Sequence, residues 1–351
     1  MNRFTYLKPT TLAEAIAAGA EPGAAYLAGG TNLLDLMKGG IARPQRVVDV
    51  GGLPGLAAID WLADGGVRIG ALVRNADLAH DARFARHFPV VAEALLSGAS
   101  AQIRNAATIG GNLLQRTRCA YFFDAASACN KRDAGAGCDA RGGESRSQAI
   151  LGASEACVAV HASDVCVALA SLDAVVEILG KSGPRETALE DFHLLPGTTP
   201  QRESVLAPGD LIVAVRLSAA AAAFAPHARY VKVRDRTSFA FALASAAAAL
   251  RIEGSKIIEA RIALGGVATK PWRARPAEAR LIGAAPDEAS FRKAAELALA
   301  DAKSAGADDS KIELARRVVA RALALAAKGT PERAPALPAS PFGVVSGGRH
   351  V

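Results

Sequence analysis

Apolar and polar positions alternate in short blocks from the first residues onward, each block closed by glycine, proline or charge. Thr11-Leu12-Ala13-Glu14 has the form of a capping box, in which hydroxyl and carboxylate each satisfy an orphan backbone N–H. A short helix through Ile16 follows and stops near Gly19. Residues 24–28 read as an apolar strand broken by Gly29-Gly30, 33–38 as a helix stopped by Gly39-Gly40, and 46–50 as a second buried strand. That order of strand, glycine loop, helix and strand has the form of a βαβ unit. Further on, 67–72 and 211–217 read as strands, 77–86 and 90–96 as helices, and 165–172 and 174–179 as apolar runs. Composition shifts between Ser218 and Pro226, which sets a domain boundary there. Beyond it, strands at 230–233, 240–252 and 257–264 precede helices at 277–281, 288–302 and 311–327, the order of an α+β module. From Thr330 the tail is rich in proline and glycine and reads as extended.

One stretch breaks the pattern. Over residues 115–150 arginine, cysteine, glycine and aspartate dominate and apolar periodicity disappears. So long a structureless segment inside a compact domain marks function or an external cross-link.

Composition adds exclusions. Of the 351 residues 51% are hydrophobic, but much of that is alanine, which buries little area. No apolar run reaches the roughly 18 residues a membrane span needs. The +7 charge, from 41 basic and 34 acidic residues, lacks the interleaved aromatics of a nucleic-acid surface. The start, Met1 to Pro9, reads as a folding domain and not as an export signal, so the cytoplasm is the default expectation. A signal-bearing partner would instead carry the chain to the periplasm.

Two glycine loops carry the candidate chemistry. Ala28-Gly29-Gly30-Thr31-Asn32 lies between a strand and a helix, where bare backbone N–H groups approach a phosphate. It is not G-x-G-x-x-G, so the Rossmann fingerprint is absent. Thr108-Ile109-Gly110-Gly111-Asn112 repeats the flavour, and each loop alone is equally consistent with a tight turn. Together they suit one ligand with a long phosphate-containing spine.

These loops, with Ile103-Arg104-Asn105-Ala106-Ala107 before the second, resemble the FAD-binding subunits of the xanthine dehydrogenase and aldehyde oxidase family. The resemblance runs from Phe4, Tyr6 and Pro9 through Ser163-Asp164, Gly209-Asp210-Leu211-Ile212 and Tyr230-x-Lys232-x-x-x-Arg236-x-Ser238-Phe239. It implies an α+β chain: a two-subdomain FAD-binding domain over 1–222, divided at about 55, and a smaller sheet-plus-helices domain over 223–329, before the tail at 330–351. It further implies that Tyr26, Leu27, Ala28, Gly29, Gly30, Thr31, Asn32, Leu33 and Leu34 wrap the pyrophosphate, with backbone donors from Gly29 to Asn32. Thr108, Gly111 and Asn112 are expected on the ribityl side, Ile109 near the isoalloxazine ring, Asp164 on a ribityl or ribose hydroxyl, and Ile212 and Lys232 on the remaining wall.

Four of the five cysteines lie in or beside the irregular segment, in the pattern C-x9-C-x8-C-x18-C. No C-x-x-C occurs, so neither a zinc ribbon nor a bacterial ferredoxin run is matched. By spacing alone an inorganic cluster, disulfides and isolated thiols all remain open. Within the family, a subset similar to periplasmic aldehyde oxidoreductases carries such an insertion, here 115–160, and the resemblance then implies a [4Fe–4S] cluster on Cys119, Cys129, Cys138 and Cys157. Cys166, in an apolar run, reads as core. Arg116, Arg118, Lys131 and Arg132 fall close to these thiols and would offset a cluster's negative charge, or form a solvated basic loop or a contact with an acidic subunit.

The expected role is electron transfer. The resemblance implies a large partner subunit holding molybdopterin, a small one holding [2Fe–2S] clusters, and an external electron acceptor. A self-sufficient flavin oxidase is disfavoured because no acid–base or nucleophile set stands out among the six histidines, and His161 near Asp164 reads as structural. A docking subunit without flavin is disfavoured by the glycine loops.

Overall fold

The computed structural model describes residues 1–236, 239–306 and 309–332; Ser238 and most of the tail, 333–351, lie outside them. Among the described residues the strands form three sheets. The first is small and parallel: β1 (Thr5–Leu7), β2 (Ala24–Leu27) and β3 (Arg46–Asp49), in the order β1-β3-β2. Its two crossovers are the helices Leu12–Gly19 and Leu33–Lys38, so the strand–loop–helix–strand unit read from the sequence is present. The capping box on Thr11 and Glu14 forms with both reciprocal bonds.

The second sheet is antiparallel, with β4 (Ile59–Trp61), β5 (Val67–Gly70), β6 (Val175–Gly180), β7 (Gly183–Ala188) and β8 (Leu211–Leu217) in the order β4-β5-β8-β6-β7. Between β5 and β6 the chain leaves the sheet for about a hundred residues. The expected helix over 77–86 is in fact two, Asn75–His80 and Ala82–His87, because Asp81 is extended and caps the second one through Phe84 N–H at 2.7 Å. Helices Pro89–Ser97 and Asp164–Ser171 pack on each other and carry much of the largest core.

The third sheet holds β9 (Ala228–Val233), β10 (Ala244–Glu253), β11 (Lys256–Gly265) and β12 (Trp272–Arg273), all antiparallel. Along β10 the period-two rule sorts the alanines: Ala246 and Ala248 face the core under the C-terminal helices, while Ala247 and Ala249 face the core of the preceding domain. A strand covered on both faces can carry alanine throughout, against its helical preference, since small side chains let helices approach on either side. Helices Arg275–Leu281, Glu288–Ala298 and Ser310–Ala327 complete this unit. Arg273, fully buried, ties it to the rest by pairing with Glu278 and donating to Ala170 O at 2.6 Å and Asp173 at 2.7 Å.

Lys311, near the start of the last helix, is a second tie. Its Nζ donates to the carbonyls of Ser147 and Gln148 at 2.9 and 2.7 Å, and burial pulls its amine down to about 7. Because the ordinary value is 10.5, the unfolded chain holds the proton where the folded one releases it. The stability this site permits is therefore full above the unfolded value and is lost as pH falls toward 7. Urea unfolding of wild type and Lys311→Met across this range should show a stability gain with rising pH that the variant lacks; equal slopes would mean that the amine titrates as if exposed.

Candidate functional site

The two glycine loops meet because the backbone allows nothing larger than hydrogen between them. A Cβ on Gly29 would lie 1.9 Å from Ala106 O and 2.7 Å from its carbonyl carbon. Gly30 follows at φ +75°, a left-handed turn that glycine adopts without strain. The second loop is pinned to the end of β5 by Ile109 N–H to Val73 O at 3.0 Å and Gly110 N–H to Ala71 O at 2.8 Å. Gly110 is needed there, since its Cβ would come within 2.9 Å of the Ala71 methyl.

The loops differ in what they leave free. The N–H groups of Gly29, Gly30, Thr31 and Asn32 make no hydrogen bond within the described residues, a run of donors suited to a diphosphate. Asn32 Nδ2 is buried without a partner, while its Oδ1 accepts from Arg116 N–H at 3.0 Å. In the second loop the donors are spent internally: Gly111 N–H reaches Thr108 Oγ1 at 3.3 Å and Asn112 N–H reaches Thr108 O at 2.8 Å.

Two cavity compartments, about 450 and 340 Å³, adjoin at Thr31, Asn32 and Gly111. Each is in the range of small-molecule sites, and their shared wall is the phosphate-type loop. The smaller is lined by Tyr26, Ala28, Gly29, Gly30, Leu33, Thr108 and Ile212. The larger is lined by Asn112, Asp164 and Lys232. Thr108 and Asn112 thus fall on opposite sides of their own loop. Leu27, Leu34 and Ile109 line neither compartment: Leu34 is turned partly to solvent, and Ile109 is packed in the largest core.

Asp164 and Lys232 form a buried pair at 2.7 Å, with Tyr230 donating to the other carboxylate oxygen at 2.6 Å and Lys232 also to Ser97 O at 3.1 Å. Burial first, then the adjacent carboxylate, holds the Tyr230 phenol far above its ordinary value. Asp164 is the first residue of its helix, and the cap is Ser163, whose Oγ accepts from Cys166 N–H and donates to Asn112 Oδ1 at 2.7 Å. Asn75, Gln115, Phe239 and Phe241, which sequence reasoning did not assign, also line the larger compartment, as does Arg118, which it placed beside the cysteines. Phe239 is exposed and has φ +46°, strained for an aromatic residue. Tyr230 and Phe239 both stood inside a quoted motif without a role assigned to either.

Beside this cavity, Cys119, Cys129, Cys138 and Cys157 line one small pocket together with Phe122, Asn130 and Lys131. All five cysteines are free thiols, so disulfides do not order the segment. A single tetrahedral zinc would draw its sulfurs to about 3.8 Å from one another, given Zn–S bonds near 2.3 Å. Among the described residues, the group of three or more ligand atoms within 4.8 Å is His161, Cys166 and His193 instead, so the cage is wider than one ion requires. Donors already point at two sulfurs: Gln148 Nε2 at 3.6 Å from Cys119 and Ala159 N–H at 3.5 Å from Cys157. Burial pushes the thiols of Cys119 and Cys157 up, and those of Cys166 up to about 12.

The four cations expected around these thiols divide their work. Lys131 lines the cage and is held by Pro200 O at 3.0 Å and Glu203 at 2.8 Å. Arg132 instead gathers the carbonyls of Tyr121, Phe122, Asp124, Ala125 and Ser127, which fixes the loop between two cysteines. Arg116 pairs with Glu203, and Arg118 sits over Phe241 at 4.9 Å with Asp35 at 3.7 Å. His161 and His193 stack edge to face at 4.4 Å, both held neutral mainly by burial, and His193 Nε2 donates to Leu113 O at 2.8 Å. They support the second loop from beneath.

Gly29→Ala should separate the loops, since the obstacle is backbone and cannot swing aside. The expected result is loss of bound FAD and a destabilisation of about 1–3 kcal/mol in denaturant unfolding, the usual cost of overpacking. Retention of full FAD affinity would show that the approach of Gly29 to Ala106 is unimportant.

Residues 2–219 match the family described as FAD binding domain in molybdopterin dehydrogenase, and residues 229–328 match the CO dehydrogenase flavoprotein C-terminal domain. The chain is 49% identical to the aldehyde oxidoreductase FAD-binding subunit of Escherichia coli (strain K12), over 92% of this chain and 98% of that one. It is 28% identical to the carbon monoxide dehydrogenase medium chain of Afipia carboxidovorans, over 88% and 89%. Among solved structures, a chain of quinoline 2-oxidoreductase from Pseudomonas putida 86 superposes with a TM-score of 0.72 at 26% identity, covering 93% of this chain and 98% of that one. A chain of carbon monoxide dehydrogenase from Hydrogenophaga pseudoflava gives 0.72 at 27%, with the same coverage. Taken with the free donors of the first loop and the two-compartment cavity, these matches make the chain an FAD-binding subunit of the xanthine dehydrogenase and CO dehydrogenase family of molybdenum hydroxylases.

Proposed function

We propose that this chain is the electron-transfer subunit of an aldehyde oxidoreductase, carrying FAD and a [4Fe–4S] cluster and working with a large molybdopterin subunit and a small [2Fe–2S] subunit. The observation that carries the reading is the cysteine cage set against the flavin cavity, with Arg118 lining the cavity and Cys119, its neighbour in sequence, lining the cage. The aldehyde assignment draws on the 49% identity to the Escherichia coli aldehyde oxidoreductase FAD-binding subunit. The 28% likeness to a carbon monoxide dehydrogenase medium chain supports the broader alternative, a flavin subunit of another molybdenum hydroxylase.

FAD supplies the redox chemistry when bound, because its ring exchanges electrons singly or in pairs. The protein's part is position and environment. The N–H groups of Gly29 to Asn32 hold the diphosphate, the Asp164–Lys232 pair presents a fixed dipole to the larger compartment, and Phe239 and Phe241 add aromatic surface to its lining. In the cage the four cysteines would hold the cluster, giving up protons that burial otherwise retains on Cys119 and Cys157. Lys131, Gln148 and the Ala159 N–H would offset the negative charge of four thiolates. The electron acceptor lies outside the chain, and a partner bearing an export signal would carry the complex to the periplasm.

Anaerobic purification followed by assay of flavin, iron and sulfide tests both cofactors. The expected content is one FAD with four irons and four sulfides per chain, the iron disappearing in Cys129→Ser while FAD still binds at saturating concentration. FAD without iron or sulfide in the wild-type chain would remove the cluster and leave an ordinary flavin subunit.

A further inference from the structure

The residues that lead into the cysteine segment touch both glycine loops before they reach the cage. Arg116 N–H donates to Asn32 Oδ1 at 3.0 Å, and Gln115 Nε2 donates to Asn112 Oδ1 at 2.5 Å. Each loop thus has its asparagine fixed by this one short stretch. Two residues later Arg118 enters the larger compartment with its Nε buried and unpartnered.

The same stretch is anchored on its other side to the cage. The Arg116 guanidinium pairs with Glu203, which also holds Lys131, and it lies 4.9 Å from the Phe122 ring and 3.4 Å from Lys131 O. Phe122, Cys119, Cys129 and Cys157 share one small core with Leu36, on the helix that follows the first loop. Contacts therefore run without a gap from cage wall to cavity wall.

Charge in the larger compartment points the same way. Lys232 is already neutralised by Asp164 at 2.7 Å, whereas the carboxylate nearest Arg118, Asp35, stands off at 3.7 Å and is itself largely exposed. An incoming dianionic diphosphate would find in Arg118 a cation with spare hydrogen-bonding capacity.

We propose that filling the cysteine cage and binding FAD are thermodynamically coupled, with Arg118 the FAD-binding residue that the ordered cage holds in place. The proposal rests on the cluster reading above. The segment 115–160 contributes no strand to any sheet, and its polar clamps locate it without filling the space between its cysteines, so the rigidity of the cage wall depends on what links them. With the cage filled, the cost of immobilising Arg118, Arg116 and Gln115 has been met before FAD arrives, and FAD binds more tightly. Linkage requires the reverse as well: bound FAD strengthens retention of the cluster by the same factor.

A double-mutant cycle on the full-length chain, stripped of FAD and titrated with FAD anaerobically, tests this. Arg118→Gln should keep its iron and sulfide and weaken FAD binding about tenfold or more, as expected for a lost charge-assisted contact. Cys129→Ser should weaken FAD binding to a similar degree, and the double variant no further than the weaker single one, because both act through Arg118. Removing iron from the wild-type chain with an oxidant and a chelator makes the same comparison without a substitution, should Cys129→Ser fail to fold. Additive losses, or wild-type FAD affinity in the iron-free chain, would overturn the coupling while leaving the cluster in place. A wild-type chain isolated anaerobically with no iron or sulfide would overturn the cluster reading itself, and the coupling with it.

Discussion

Gly29 lies so close to the peptide of Ala106 that a methyl group there would overlap the carbonyl oxygen, and this approach brings loops from two separate sheets into one wall. The parallel sheet alone offers a run of free N–H groups with nothing to close over a ligand. The antiparallel sheet alone offers a loop whose own donors are already spent. Joined back to back, they yield a cavity with a phosphate-type waist and a compartment on each side. The third sheet enters through Lys232 and the aromatic residues after β9, which wall off the larger compartment.

The cysteine segment shows how a chain without apolar periodicity can still be fixed. Arg132 substitutes for a core between Tyr121 and Ser127 by collecting carbonyls that would otherwise face water or go unpaired. Lys131 spans to Pro200 and Glu203, and Lys311 reaches in from the last helix to hold Ser147 and Gln148. These are polar clamps at the edges of a cage whose interior is four thiols, and they locate the segment without filling its centre. The cage therefore borders the flavin cavity through backbone and guanidinium contacts more than through packed hydrocarbon.

Much of the fold was legible because its elements obey local rules. The capping box at Thr11, the glycine stops after Lys38 and the alternation along 211–217 each correspond to an observed boundary. The split of the helix at Asp81 was missed, since a capping aspartate among the charged residues of 77–86 looks like one more surface residue. At the site, the first loop was legible from its glycines. The inward packing of Ile109 and the arrival of Gln115 and Arg118 were not, because they depend on which way a turn faces after two loops from distant segments meet. Charge placement was the least legible: four cations near the cysteines looked equivalent in sequence, and only Lys131 lines the cage.

The central claim is that this chain relays electrons and does not itself oxidise substrate. Its most direct test is anaerobic rapid mixing of an aldehyde with the isolated FAD-loaded chain and, separately, with the assembled three-subunit complex, following flavin absorbance. The account predicts that the flavin bleaches in the complex and stays oxidised in the isolated chain. Bleaching in the isolated chain would contradict it, as would a complex that reduces its acceptor while the flavin remains oxidised throughout turnover.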